Sequence, residues 1–167
     1  KRAKLENLPA TMEPGISAED CLYADLGIDP GKSGCMHYET SQFMFYKRNI
    51  DTSAHLILWQ VALAGDKSLS KFATNRAYIQ VLIDLLLEHY PSDHQVILYQ
   101  AKSIAIEPMR ADTILLTELV DVELFMQTTL VIPPCTQMQP NEALLAKLAQ
   151  LDKQEARAKN APELTLV

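Results

Sequence analysis

No stretch of this sequence approaches the roughly 18 consecutive apolar residues that a membrane-spanning helix needs, and no block of basic residues occurs in it. The first absence leaves no membrane partner to expect. The second argues against a nucleic-acid partner, since Lys and Arg number 15 against 21 Asp and Glu, for a net charge of −6. Cysteine is scarce: Cys21, Cys35 and Cys135 are scattered and odd in number. They fit reduced cytosolic thiols better than a disulfide frame, and without a Cys-x-x-Cys spacing they place no metal. No signal-peptide pattern and no internal repeat are visible. The opening Lys1-Arg2-Ala3-Lys4 lacks a methionine, as in a processed or trimmed chain. The expectation is a cytoplasmic protein.

What is present is an ordinary globular composition, 167 residues with 48% hydrophobic and 22% charged, enough for one domain with a real core. Residues 1–7 read as the end of a helix. Residues 10–13 read as a short strand running into the turn Pro14-Gly15-Ile16-Ser17-Ala18. Gly15 lets the backbone approach a ligand closely, and Ser17 is a natural cap for a helix over 18–26 that Gly27 closes. In open α/β sheets, ligands bind in the crevice beyond the strand ends. The plainer reading is a strand–helix turn with a capping serine.

Further along, Asp29-Pro30-Gly31 and Gly34 mark a loop, residues 35–39 a strand and 40–46 a short helix. The nearly continuous apolar run HLILWQVALA (55–64) reads as a strand buried on both faces. A polar loop at 65–74 leads to Asn75, a cap for a helix through about Tyr90 that Pro91 ends. Strands are expected at 95–101 and 127–132, with a strand or strand–helix mixture at 113–119. Pro140 starts a last helix to about Leu151, and 152–167 form a polar tail. The alternation gives an α/β class. Several connections are too short for helical crossovers, which makes the sheet mixed and flanked by helices.

A few side chains invite chemistry. Gln60 inside an apolar run asks for a ligand or a hydrogen-bond network, because a buried amide without partners is costly. Thr128 and Thr129 read as β-branched strand filler or as ligand hydroxyls. His37 and His55 near strand starts fit a general base or an ordinary polar position. His89 and His94 suit a helix end. Trp59 could shelve a flat ligand or pack in the core; Tyr38, Tyr46 and Tyr99 could line a peptide channel. Arg110 could touch substrate or a second subunit, or lie in solvent. No Ser-His-Asp order or carboxylate pair stands out.

Four segments together, PGISA (14–18), DLGIDP (25–30), HLILWQVA (55–62) and TTLVIPP (128–134), resemble the class III, tetrapyrrole-methylase-like S-adenosylmethionine methyltransferases. The combination of SAEDCLYADLGIDPG (17–31), YETSQFMF (38–45) and HLILWQVA is similar to the borosin peptide backbone N-methyltransferases, especially the split type that acts on a separate precursor. The resemblance reaches to about Leu148 and matches the second half of such an enzyme. It implies the C-terminal half of a tetrapyrrole-methylase-like fold, with residues 1–18 as linker, 19–151 as cofactor-binding subdomain and 152–167 as tail. It implies S-adenosylmethionine as cofactor, held by Ala18, Gln60, Ala101, Thr128 and Thr129, and no catalytic side chain within these 167 residues. The implied substrate is a precursor peptide of ribosomal origin, methylated on backbone amides. The implied partners are an N-terminal half and a second copy in a homodimer. A strand at 10–13 with no sheet neighbour of its own points the same way. The other expectations are a methyltransferase of this fold acting on a tetrapyrrole or another small acceptor, and a non-catalytic scaffold subunit.

Overall fold

The computed structural model describes residues 2–10, 15–68, 70–104 and 106–159. The chain divides into two compact units, Lys1–Thr136 and Gln137–Val167. The first begins with a single helical turn, α1 (Arg2–Leu5). Of the strand expected at 10–13, Ala10 lies in no strand and residues 11–13 fall outside the described set, as does Pro14 of the turn.

Helix α2 (Ala18–Leu26) has local reasons for both ends. Ser17 and Asp20 form a reciprocal capping box, with the Ser17 hydroxyl accepting from the Asp20 N–H and Asp20 accepting from the Ser17 N–H at 2.7 Å. Gly27 closes the helix at φ +66°, the left-handed conformation that favours glycine. The segment expected as a loop contains one helical turn, α3 (Pro30–Ser33), with Asp29 as its cap and proline at its start.

The sheet has five strands: β1 (Cys35–Glu39), β2 (His55–Trp59), β3 (Gln95–Gln100), β4 (Arg110–Leu115) and β5 (Thr129–Ile132). Their order is β1-β2-β5-β3-β4. β1 and β2 are parallel, Cys35 opposite His55, while β5 is antiparallel to both β2 and β3, and β3 to β4. The sheet is therefore mixed, as expected. Strand residues alternate between two clusters. Leu56, Leu58, Val96, Leu98, Leu130 and Ile132 face one side, where α4 (Thr40–Phe45) and α5 (Arg76–Leu87) pack through Phe43, Ile79, Leu82, Ile83 and Leu86. Ile57, Tyr99 and Val131 face the other, where α2 lays down Leu22. All three central residues of β2 are fully buried, so its hydrophobic run reflects cover on both faces.

The apolar run overstates β2. The strand stops at Trp59; Gln60 takes a left-handed conformation, and Val61–Leu63 form a 3-10 turn. Val61 and Ala64 are still fully buried, so hydrophobicity continues through a bend that ends the ladder. Similarly, the mixture expected at 113–119 resolves into β4 and a 3-10 turn at Leu116–Val120. In the second unit, α6 (Glu142–Lys159) starts two residues after Pro140 and runs past Leu151; residues 160–167 lie outside the described set. Among the described residues no helix is long and apolar enough to cross a membrane.

Candidate functional site

β1, β2 and β3 all run in one sense, because β5 is antiparallel to both β2 and β3. Their carboxyl ends therefore share one end of the sheet with the start of β5. After β2 the chain turns toward the α5 face, since Val61 and Ala64 join that cluster. After β3, Ala101 packs with the α2-face cluster. β2 and β3 flank β5, and the chain leaves them on opposite faces of the sheet; α/β sheets bind ligands beyond the carboxyl ends of their strands at such a switch of direction.

Four of the five sequence-predicted residues meet at this end. Gln60 follows β2, Ala101 follows β3, and Thr128 and Thr129 open β5. Ala18 is exposed in the first turn of α2. The expected burial of Gln60 is corrected: its side chain is exposed, because the residue sits in the bend and not within the strand. Its φ of +56° is unusual for a residue with a Cβ. Left-handed geometry costs such a residue roughly 1–2 kcal/mol and is held only where the surroundings fix it.

Those surroundings are a set of hydrogen bonds to backbone carbonyls. The Thr40 hydroxyl donates to the Trp59 carbonyl at 2.6 Å, and the Ser41 hydroxyl to that of Leu63 at 2.7 Å. The Val61 N–H donates to the Thr128 carbonyl at 3.0 Å, which ties the bend to β5. Thr128 is fully buried, and its Oγ1 accepts from Gln100 Nε2 at 2.6 Å and from the Phe125 N–H at 2.9 Å. Thr128 thus packs inside this end of the sheet, with its oxygen engaged by other protein groups. Gln100 went unnoticed in the sequence, where it reads as the polar end of a strand. Exposed apolar side chains from the segments after β3 and before β5 flank this end: Ile104, Ile106, Met109, Phe125 and Met126.

Most of the remaining candidates contact other protein groups. Tyr99 is buried and donates to Asp25 at 2.8 Å, which joins the sheet to α2 and removes it from any channel wall. Burial, then the Asp25 hydrogen bond, pushes its phenol well above the usual range. Trp59 packs in the α2-face cluster and stacks on His37, the ring centroids 5.9 Å apart. His37 Nε2 lies 2.6 Å from the Tyr23 hydroxyl, which donates to Glu19. His55 opens β2, and burial holds its imidazole below the ordinary value. His89 follows the end of α5, and His94 stacks on Tyr90 with Nε2 3.0 Å from the Pro133 carbonyl. Arg110 binds Asp112 and the Glu123 carbonyl. Among the described residues, no group of three His, Cys, Asp or Glu is placed to hold a metal.

Comparison with known proteins shows what the chain is similar to. No family model matches the chain. It is 39% identical over 153 residues to the methyltransferase/ribosomally synthesized cyclic peptide gymnopeptides precursor of Gymnopus fusipes, covering 89% of this chain and 36% of that protein. It is 46% identical over 102 residues to a methyltransferase/ribosomally synthesized type I borosin cyclic peptide precursor of Coprinopsis marcescibilis, covering 59% and 26%. The chain is a homologue of the borosin methyltransferase/precursor proteins. A third relative, the methyltransferase/ribosomally synthesized cyclic peptide omphalotin A precursor of Omphalotus olearius, is 34% identical over 165 residues, 95% of this chain and 39% of that protein. The chain spans about a third of the length of these relatives. In fold, the borosin homologue matches the crystal structure of the methyltransferase CobJ with a TM-score of 0.51 at 12% identity, over 84% of this chain and 58% of that one. The class III methyltransferase fold and the borosin resemblance read from the sequence both stand.

Proposed function

We propose that this chain forms the cofactor-facing part of an S-adenosylmethionine-dependent methyltransferase that methylates backbone amides of a precursor peptide. One observation carries the reading: an exposed, left-handed Gln60 stands at the carboxyl end of a β2 buried on both faces, at the end of the sheet where the chain leaves β2 and β3 on opposite faces. Relatives named as methyltransferase/cyclic peptide precursors supply the chemistry.

The residues at this end fit such a cofactor. The exposed Gln60 amide offers a donor and an acceptor to a nucleoside. Ala101 has no side chain beyond Cβ to fill the space after β3, which leaves backbone accessible. Thr129 adds a hydroxyl at the start of β5, and Thr128 packs inside the same end of the sheet. Ala18 is the fifth residue that the resemblance places at the cofactor. Bound there, S-adenosylmethionine supplies a methyl group on a sulfonium, ready for in-line displacement. The chain's own residues contribute orientation and exclusion of water. Activation of the amide falls, on this reading, to an N-terminal half. A homodimer belongs to the same reading, and the half-exposed row Leu144, Leu145, Leu148 and Leu151 of α6 is a surface it would cover.

Calorimetric titration with S-adenosylhomocysteine tests the proposal. Saturable binding is expected, weakened at least tenfold in Gln60→Gly, a change that relieves the backbone conformation while removing the amide. Folded protein that gives no heat of binding overturns it and favours a scaffold subunit. Binding without methylation of any precursor peptide, when an N-terminal half is supplied, points to a small-molecule acceptor.

A further inference from the structure

On the face covered by α4 and α5, a groove of about 450 Å³ is lined by residues 43–50 together with Leu85, Glu88 and His89. Its size is within the range of small-ligand sites, roughly 300–1,000 Å³. The floor is apolar: Phe43 is buried, and Met44, Ile50 and Leu85 pack against the same cluster. The rim is basic. Beyond the first two residues, Lys47-Arg48 is the only adjacent pair of basic side chains in a chain of net charge −6.

Neither cation is in an ion pair among the described residues. With 21 carboxylates against 15 basic side chains, unpaired neighbouring cations in a concavity stand out. Arg48 is held in place: its guanidinium lies 4.8 Å from the Tyr38 ring centre and 5.6 Å from that of Tyr46. One of its nitrogens donates to the Gln42 carbonyl at 3.4 Å. The stacked guanidinium keeps further N–H groups for an acceptor, and orientation by aromatic rings lowers the entropy lost on binding. Glu88 is the single carboxylate of the lining, against Lys47, Arg48 and the imidazole of His89.

We propose that this groove is a second binding site, for an organic anion in which a carboxylate or phosphate is carried on a flat apolar body. The anion meets Lys47 and Arg48, and the body lies over the apolar floor beside Tyr46. The groove opens on the sheet face opposite Trp59 and Tyr99, so it does not depend on the methyltransferase reading.

The test uses phenyl phosphate, phenylacetate and benzyl alcohol as probes, followed by the side-chain and backbone NMR signals of Lys47, Arg48 and His89. Saturable shifts with a Kd of about 1 mM or tighter are expected for one or both anions, with benzyl alcohol at least tenfold weaker. The pattern between phosphate and carboxylate identifies the head group. Lys47→Ala and Arg48→Ala should each weaken the anion about fivefold or more. Lys47, which makes none of the aromatic stacking contacts, is the variant whose fold is secure. Equal binding of benzyl alcohol, no saturable shift in wild type, or unchanged anion affinity in Lys47→Ala would overturn the proposal.

Discussion

Replacing Thr128 by valine keeps the side chain's shape and deletes one oxygen. That oxygen is buried and accepts two hydrogen bonds, from the Gln100 amide and from the Phe125 N–H. Its loss leaves both donors facing a methyl group. A donor deprived of its partner costs about 1–3 kcal/mol. Phe125 sits on a partly exposed loop, where its N–H can turn to water, so its share belongs at the low end. The sum is about 2–4 kcal/mol. For a chain of this length the melting temperature should fall by about 4 °C or more. Thr128→Ser keeps the oxygen and removes one methyl, worth about 0.8 kcal/mol. Urea unfolding should therefore shift the midpoint strongly for valine and little for serine, with the slope unchanged in both. A valine variant within about 0.5 kcal/mol of wild type, a value typical of inconsequential substitutions, would refute the assigned acceptor role. So would a serine variant as damaged as valine.

Other substitutions follow from the same geometry. Gly65→Ala should destabilise far more than Gly27→Ala: both have positive φ, but a Cβ at Gly65 would meet Tyr78 at 2.7 Å whereas Gly27 opens onto free space; equal losses would contradict this. Leu22→Ala should cost about 2–5 kcal/mol by opening the buried α2–sheet contact, read by urea unfolding against the exposed control Val81→Ala. Burial depresses the His55 imidazole, so the folded chain binds fewer protons than the unfolded one. Stability should be full above about 6.5 and decline as pH falls through the folded value, a slope that His55→Gln removes. Asp20 is held below its ordinary 3.8 by the backbone and hydroxyl of Ser17. Its contribution is present above that value and lost as pH falls below it, so Ser17→Ala should flatten the acid limb of the stability profile.

How much could be read from the sequence depended on whether the signal was local. Helix α2 was legible from end to end because Ser17, Asp20 and Gly27 act within a few residues of their own backbone. β1 was legible between Gly34 and the Glu39 cap of α4. The end of β2 was not, since Val61 and Ala64 are as buried beyond the bend as Leu58 is before it; burial says where a residue lies and nothing about its φ. That same bend moved Gln60 from an expected buried amide to an exposed one. α6 ran on because Lys, Gln, Glu, Ala and Arg favour helix despite their polarity. Gln100 and the Tyr38–Arg48–Tyr46 stack depend on partners distant along the chain or on a turn between them, and no local pattern announces them. The convergence of Gln60, Ala101, Thr128 and Thr129 was legible only through the family resemblance, and the sheet order supplies its physical reason.

The most direct test of the cofactor reading is an NMR titration of the backbone-labelled protein with S-adenosylhomocysteine. The account predicts saturable shifts concentrated at Gln60, Ala101, Thr128 and Thr129, with Val81 and other α5 surface residues unmoved. A folded chain, shown by slow amide exchange in β2 and β5, whose spectrum stays unchanged or shifts only away from the carboxyl ends of β2 and β3, would contradict it.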